Sequence, residues 1–488
     1  MAEEPPPNVD LLIVGGGING VGIARDAAGR GLSVLLVEKD DLAAHTSSSS
    51  SKLIHGGLRY LEQLDLRLVR ESLAERERLL AIAPHIVRPI DFVMPMGLAR
   101  RPAWLMRLGL FLYDHIGGRR SLAASRSVQL DGDALGAGLK PGCGTGLVYA
   151  DCRTDDARLV VLNAVDAAER GAAILTRTEF LSARRERGAW VARLRGKAGE
   201  REVKARMLVN AAGPWVADLL ARIDGAPPPR PVRLVKGSHI VVPRLHAGDH
   251  ALLLQNPDGR VVFAIPFEGA FTLVGTTEVD WAGVPERPQI GPAEVDYLLA
   301  TLALYFEGVP EAADIAWSYS GIRTLADDGR ASASKVTRDY VLDAGGEPPL
   351  LSVYGGKLTT YRRLAEQALK RLGAGGRAWT ADTPLPGGEV APAVARRRLE
   401  GRYPKLPLEL LDRLAAGHGT RAERLLGDAQ TVEELGEHFG AGLHACEVDY
   451  LLECEWARTP EDILWRRTKL GLRITPAEAR RLAAYLAR

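Results

Sequence analysis

The chain has 488 residues, 46% hydrophobic and 25% charged, with 63 basic against 61 acidic side chains. That length predicts two to four domains of about 100–200 residues, and the composition excludes disordered, collagen-like and coiled-coil chains. A formal net charge of +2 gives no general case for nucleic-acid binding.

Four cysteines (Cys143, Cys152, Cys446, Cys454) without CxxC spacing exclude a disulfide framework and a cysteine zinc site, and no metal is expected. The opening MAEEPPPNVD lacks a signal pattern, and no apolar run reaches the roughly 18 residues of a membrane span. A reducing, cytoplasmic location is therefore expected, with any membrane contact peripheral.

Val9–Val14 (VDLLIV) reads as a buried strand, Gly15–Gly31 as a turn entering a helix, and Ser33–Glu38 as a second strand. This β-α-β unit predicts a parallel sheet. Leu61–Ile82 has helical periodicity, followed by a stretch punctuated by Pro84, Pro89, Pro95 and Pro102. Ala172–Arg177 is strand-like. Trp190–Leu194 and Val203–Val209 predict a hairpin ending at NAAGPW (Asn210–Trp215). Gly237–Glu278 alternates β-formers between PDG and EGA turns, predicting a separate antiparallel sheet. Leu350–Tyr354 is a strand before a glycine turn and helix. Pro384–Gly388 reads as a linker to residues 389–488, which are helical in pattern without strand alternation.

Gly15, Gly17 and Gly20 form GxGxxG in strand–turn–helix context, and Glu38 ends the second strand 23 residues past Gly15. Glycines there let backbone approach a pyrophosphate at a helix N-terminus, while the carboxylate accepts bonds from both ribose hydroxyls. The motif alone leaves FAD and NAD open. Its N-terminal place and the later glycine turns, Asn210–Trp215 and Gly355–Thr360, favour FAD, whose ring needs further loops to hold it.

Several blocks resemble the FAD-dependent, quinone-linked glycerol-3-phosphate dehydrogenase family: Gly15–Glu62, Arg101–His115, Val235–Arg244, Val274–Trp281, Trp317–Arg323, Thr337–Tyr340, Tyr354–Arg362 and Glu461–Leu472. The resemblance implies an α/β fold: a Rossmann-like FAD-binding domain of the glutathione-reductase/D-amino-acid-oxidase type, an antiparallel substrate domain and an α-helical C-terminal domain. The expected boundaries are 8–83, 150–215 and 318–375 for FAD, 84–149 and 216–317 for the substrate cap, and 389–488 for the helices. It further implies oxidation of sn-glycerol 3-phosphate to dihydroxyacetone phosphate, with electrons passed to membrane quinone. A soluble oxidase reducing oxygen to peroxide is the rival reading, and a homodimer is an admissible assembly.

The FAD contacts so implied are Gly15, Gly17, Ile18, Asn19, Gly20, Glu38, Thr46, Ser47, Ser51, Lys52, Leu53, His55, Gly56 and Gly57 in the first block. Later contacts are Ala211, Gly213, Trp215, Gly321, Gly356, Lys357, Leu358 and Thr359. For the phosphate dianion, Arg59 and Arg323 are the candidates, because a planar guanidinium meets phosphate oxygens in pairs. Lys357 is a third cation, and Tyr60 and Thr276 add hydroxyls. His239 is the preferred base and His55 its rival, histidine titrating near neutrality. Thr324 stands where the family usually carries Pro, which would loosen the loop holding Arg323. Arg100–Arg101 and Arg119–Arg120 flank the apolar Trp104–Tyr113, a pattern suited to a helix in a membrane interface. The RRTK cluster, Arg466–Lys469, suits an interdomain ion-pair group equally well.

Overall fold

The computed structural model describes residues 6–58, 65–99, 101–117, 121–326 and 339–488. Arg59, Tyr60, Arg100, Arg119, Arg120, Thr337 and Arg338, and the first four residues of the expected Leu61–Ile82 helix, lie outside them.

Two sheets frame the molecule. The first has eight strands among the described residues, and its main path is parallel except at one edge. β1 (Asn8–Val14) sits between β2 (Val34–Val37) and β10 (Gly199–Asn210). Beyond β2 lies β7 (Ala173–Leu175); beyond β10 lie β18 (Leu350–Tyr354) and the antiparallel β17 (Val341–Gly345). β8 (Glu179–Glu186) and β9 (Ala189–Gly196) extend β10 as a hairpin. All four residues of β2 are buried, as expected of a strand covered on both faces. One cover is α1 (Ile18–Gly29), whose small residues Ala24 and Ala27 let it pack closely on the sheet.

The second sheet has ten strands among the described residues, ordered β15 (Val279–Asp280), β11, β14, β13, β12 (Ala251–Gln255), β4, β6 and β3, with β16 on β11 and β5 (Arg126–Gln129) on β6. Its central members are β4 (Val87–Pro95), β6 (Thr145–Thr154), β11 (Val232–Pro243), β13 (Val261–Phe267) and β14 (Phe271–Gly275). The PDG and EGA segments are its hairpin turns, as the alternation predicts. β16 (Trp317–Ala326) was expected with the FAD-binding segments, yet it pairs with β11 over ten residues. β3 (Leu53–Ile54) and the end of β6 likewise belong to this sheet. Strand pairing is non-local, so boundaries drawn along the chain miss it.

α2 (Leu66–Ile82) and α3 (Ala103–Ile116) cover one face of this sheet. The C-terminal helices α4 (Pro392–Arg402), α5 (Leu408–His418), α6 (Ala445–Cys454) and α7 (Pro476–Leu486) surround their own core of Leu411, Phe439, Val448 and Leu451. A short ribbon, His438–Gly440 with Leu443–His444, interrupts the expected all-helical pattern. The expected linker is no free tether. Leu385, Pro386, Gly387 and Gly388 are buried, and the Leu385 N–H donates to Ile82 O at 2.7 Å.

Candidate functional site

A cavity of about 970 Å³ runs between the two sheets. At one end stands the glycine loop. A Cβ on Gly20 would collide with Gly15 O, and one on Gly15, which adopts φ +119°, with Ala211 O. The loop therefore presses against the Asn210–Trp215 turn only because both positions lack side chains. Ile18 N–H donates to Ser47 Oγ at 3.0 Å, and Asn19 Nδ2 to Gly355 O at 3.0 Å. Asn19 Oδ1 is buried and has no partner among the described residues, an acceptor left for a bound group.

Glu38 ends β2 as predicted. Its two carboxylate oxygens accept from Gly16 N at 2.6 Å and Asp40 N at 2.8 Å. Burial raises its pKa, partly offset by those two donors. At the rim, Lys39 Nζ lies 3.9 Å from the Trp215 ring centre, and Trp215 Nε1 donates to Glu286 at 2.7 Å.

Three distant segments close over the middle of the cavity. His55 N–H donates to Thr359 Oγ1 at 3.3 Å, tying the 55–57 turn to the 355–359 turn. Thr46 Oγ1 donates to Ile322 O at 2.8 Å, tying the serine run to β16. Gly57, Lys357 and Leu358 line the same space.

At the other end, Thr276, Glu278 and Arg323 line the wall. Arg323 Nη2 donates to Thr276 Oγ1 at 3.2 Å, and Nη1 lies 3.6 Å from Glu278 Oε1. Arg323 and Thr324 lie within β16, opposite Val235 and Leu234. The expected loosened loop at these residues is thus replaced by paired strand.

His239 stands opposite Tyr319 across the β11–β16 pair and beside Gly275, where a Cβ would collide with its ring. It is 1% exposed and does not line the cavity. Ser51 does line it, and Ser51 Oγ lies 2.9 Å from His239 Nε2. Burial first, then the Arg323 and Lys52 charges, push the His239 pKa well below 6.5, so the ring is neutral.

Of the other expected contacts, Gly17, Leu53, Ala211, Gly213 and Gly321 reach the wall. Gly20, Lys52 and Gly56 do not. Gly20 gives the tight turn. Lys52 Nζ is held by Asp156 Oδ1 at 2.7 Å and Ser48 O at 2.9 Å, and Gly56 N–H donates to Tyr113 Oη at 2.8 Å. Glu278 and Tyr319 were missed as individual residues, although both fall in blocks that carry the resemblance. Their partners stand 45 and 80 positions away, respectively, and no local pattern reports such a distance.

The glycine cradle, the buried acidic strand end, the unpartnered Asn19 Oδ1 and the length of the cavity fit a dinucleotide carrying a ring system. The family model described as FAD dependent oxidoreductase matches residues 10–362, and that for the C-terminal domain of alpha-glycerophosphate oxidase matches 378–487. The chain is 53% identical to a glycerol-3-phosphate dehydrogenase of Pseudomonas aeruginosa, covering 98% of this chain and 94% of that protein. It is 51% identical to a D-erythritol 1-phosphate dehydrogenase of Brucella abortus, covering 98% and 97%. It is 48% identical to the aerobic glycerol-3-phosphate dehydrogenase of Escherichia coli, again covering 98% and 97%. The FAD-complexed glycerol-3-phosphate dehydrogenase structure from Bacillus halodurans superposes with a TM-score of 0.74 at 28% identity, over 94% of this chain and 86% of that one. FAD is thus the cofactor, and the chain belongs to the FAD-dependent glycerol-3-phosphate dehydrogenase family.

Proposed function

We propose that the protein oxidises sn-glycerol 3-phosphate to dihydroxyacetone phosphate and passes the electrons to a membrane quinone. One continuous cavity, with a dinucleotide cradle at one end and Arg323 at the other, carries the reading, and the relatives' names supply the substrate. FAD, when bound, would supply the hydride acceptor for C2.

The chain's own residues bind, orient and deprotonate. Arg323 meets the phosphate as a fork, and Thr276 holds the guanidinium in place. Lys357, which lines the cavity on the 355–359 turn, would supply a cation to the cofactor's ring. The substrate hydroxyl gives its proton to Ser51 Oγ as Ser51 passes its own to His239 Nε2, so the buried imidazole acts through the serine. The incoming dianion offsets the Arg323 charge that otherwise disfavours a protonated His239.

α3 supports the membrane contact. Trp104 is 67% exposed and Phe111 57%, with Leu105, Leu108 and Leu112 exposed beside them, while Leu110 and Tyr113 face inward. Apolar side chains dominate its exposed face, with Arg107 among them and His115 near its end, the form of a helix lying in an interface. No helix among the described residues is long and apolar enough to cross a membrane.

The 51% identity to the Brucella abortus protein favours a second reading, a four-carbon polyol phosphate as substrate. Purified protein is mixed with each phosphate in turn, and quinone-analogue reduction is compared with peroxide release. Reduction of the analogue with glycerol 3-phosphate and little peroxide is expected. Turnover with D-erythritol 1-phosphate alone, or peroxide as the main product, would overturn the assignment.

A further inference from the structure

The segment Glu461–Leu472 (EDILWRRTKLGL) lies in the C-terminal domain and contributes nothing to the cavity wall. Two of its residues nevertheless connect to His239. The Trp465 ring stacks on Trp317, with centroids 4.4 Å apart and planes at 26°. Trp317 lies against Tyr319 at 4.8 Å, and Tyr319 stacks on His239 at 4.9 Å and 19°. Positions 317 and 319 share one face of β16, so the strand's period of two aligns these rings. The serine turn meets the imidazole at its Nε2 edge. Tyr319 Oη donates to Ser50 O at 2.7 Å, and Ser50 Oγ donates to Asp156 Oδ2 at 2.7 Å. The neighbouring Asp155 accepts from Lys469 Nζ at 3.0 Å.

His239 Nδ1 is buried and has no hydrogen-bond partner among the described residues. One bond, to Ser51, therefore fixes the ring's position but not its plane. The stack supplies the plane.

We propose that Trp465 and Lys469 are positioning residues for the oxidation step. Trp465 holds the imidazole plane through Trp317 and Tyr319, and Lys469 holds the serine turn through Asp155 and Asp156. The C-terminal domain is thereby part of the machinery for proton removal, without touching substrate. This inference rests on the reading of His239 as proton acceptor.

The test uses FAD-loaded full-length protein and compares wild type with Trp465→Ala, Trp465→Phe, Lys469→Ala and Leu451→Ala. Leu451 is fully buried in the C-terminal core and outside the ladder, so its truncation loosens the domain alone. Flavin reduction is followed by stopped flow over glycerol 3-phosphate concentrations up to saturation and across pH, beside thermal unfolding. Amide exchange of residues 49–53 and 235–241 is measured without substrate.

Trp465→Ala and Lys469→Ala are expected to slow reduction by about tenfold or more and to displace its pH profile, because small misplacements of a reacting group are costly. The apparent substrate affinity stays unchanged, Trp465→Phe recovers most of the rate, and exchange rises in both segments. Leu451→Ala lowers the melting temperature and leaves rate and exchange unchanged. Equal losses in Leu451→Ala and Trp465→Ala, or no loss in Trp465→Ala, would overturn the proposal. Should wild type itself fail to reduce with glycerol 3-phosphate, the substrate assignment falls. The exchange comparison then decides alone: a rise confined to the ladder variants supports the positioning role, and equal exchange refutes it.

Discussion

At the glycine-loop end the cavity is framed by close-packed backbone; at the Arg323 end it is framed by polar and charged side chains. The first end relies on glycines 15, 17 and 20, the N–H groups at the start of α1 and a strand-end carboxylate, all within 24 consecutive residues. The second relies on Thr276, Glu278, Arg323 and the Ser51–His239 pair, drawn from separate strands and a distant turn. A backbone site tolerates no added atoms and is indifferent to most side-chain chemistry. A side-chain site tolerates volume changes and depends on each functional group.

Substitutions can break that contrast. The largest effect is expected from Gly15→Val, which places a side chain on Ala211 O in a backbone conformation that branched residues avoid. The protein should be purified without its yellow colour and should not recover absorbance on reconstitution; retained flavin would show that the cradle yields.

At the other end, His239→Ala should keep its FAD and lose about 10²–10⁴-fold in the rate of flavin reduction, as expected for loss of a general base. Stopped-flow reduction near the wild-type rate would remove His239 from the chemistry. Arg323→Ala should raise the apparent Michaelis constant for glycerol 3-phosphate by roughly 10- to 150-fold, the value of a charge-assisted hydrogen bond of about 1.5–3 kcal/mol. Unchanged affinity would assign the phosphate to other cations.

Away from both ends, Trp104→Ser with Phe111→Ser should weaken liposome flotation by at least about tenfold, since each buried aromatic contributes about 1.5–3 kcal/mol. Equal flotation would place the membrane contact on another face.

The smallest effect concerns pH and the buried histidines. Burial, then the Arg158 and His418 charges, lowers the His85 pKa to about 3. Below pH 6.5 the unfolded chain binds a proton that the folded chain refuses. The contribution is therefore complete above pH 6.5 and is lost as pH falls toward 3, by up to about 1.4 kcal/mol per pH unit. His239 acts in the same direction. His85→Gln should flatten the melting temperature between pH 6.5 and 4; an unaltered slope would clear His85 of this role.

The same contrast explains what the sequence made legible. β1, the glycine loop, α1 and β2 were readable because a buried parallel strand, a tight turn and a helix all leave short-range patterns. Glu38 was found by its spacing. Arg323 could be named only through resemblance and His239 from its place on the predicted antiparallel sheet, and the contacts around them could not be named at all. Whether His239 meets the cavity or stands behind Ser51 depends on a turn 188 residues away. The pairing of β16 was illegible for a related reason: its partner, β11, lies about 80 residues earlier, and pairing follows register rather than chain order. The RRTK cluster left two readings open, and geometry separates them. Arg466 and Arg467 bond Asp41 at 2.7–2.9 Å, and Lys469 bonds Asp155. Burial alone would raise the Asp41 pKa, but the Arg467 and Arg466 charges and hydrogen bonds more than offset it.

The buried passage through Leu385–Gly388 bears on how this enzyme can be dissected. Leu385 is fully buried beside the end of α2, and a Cβ on Gly387 would collide with His418 O. Excising the helical portion at this point would strip apolar surface from both fragments and leave cut ends where no water was before. The two pieces should be recovered together or not at all, and a chimaera with a foreign C-terminal half would need that seam transplanted intact.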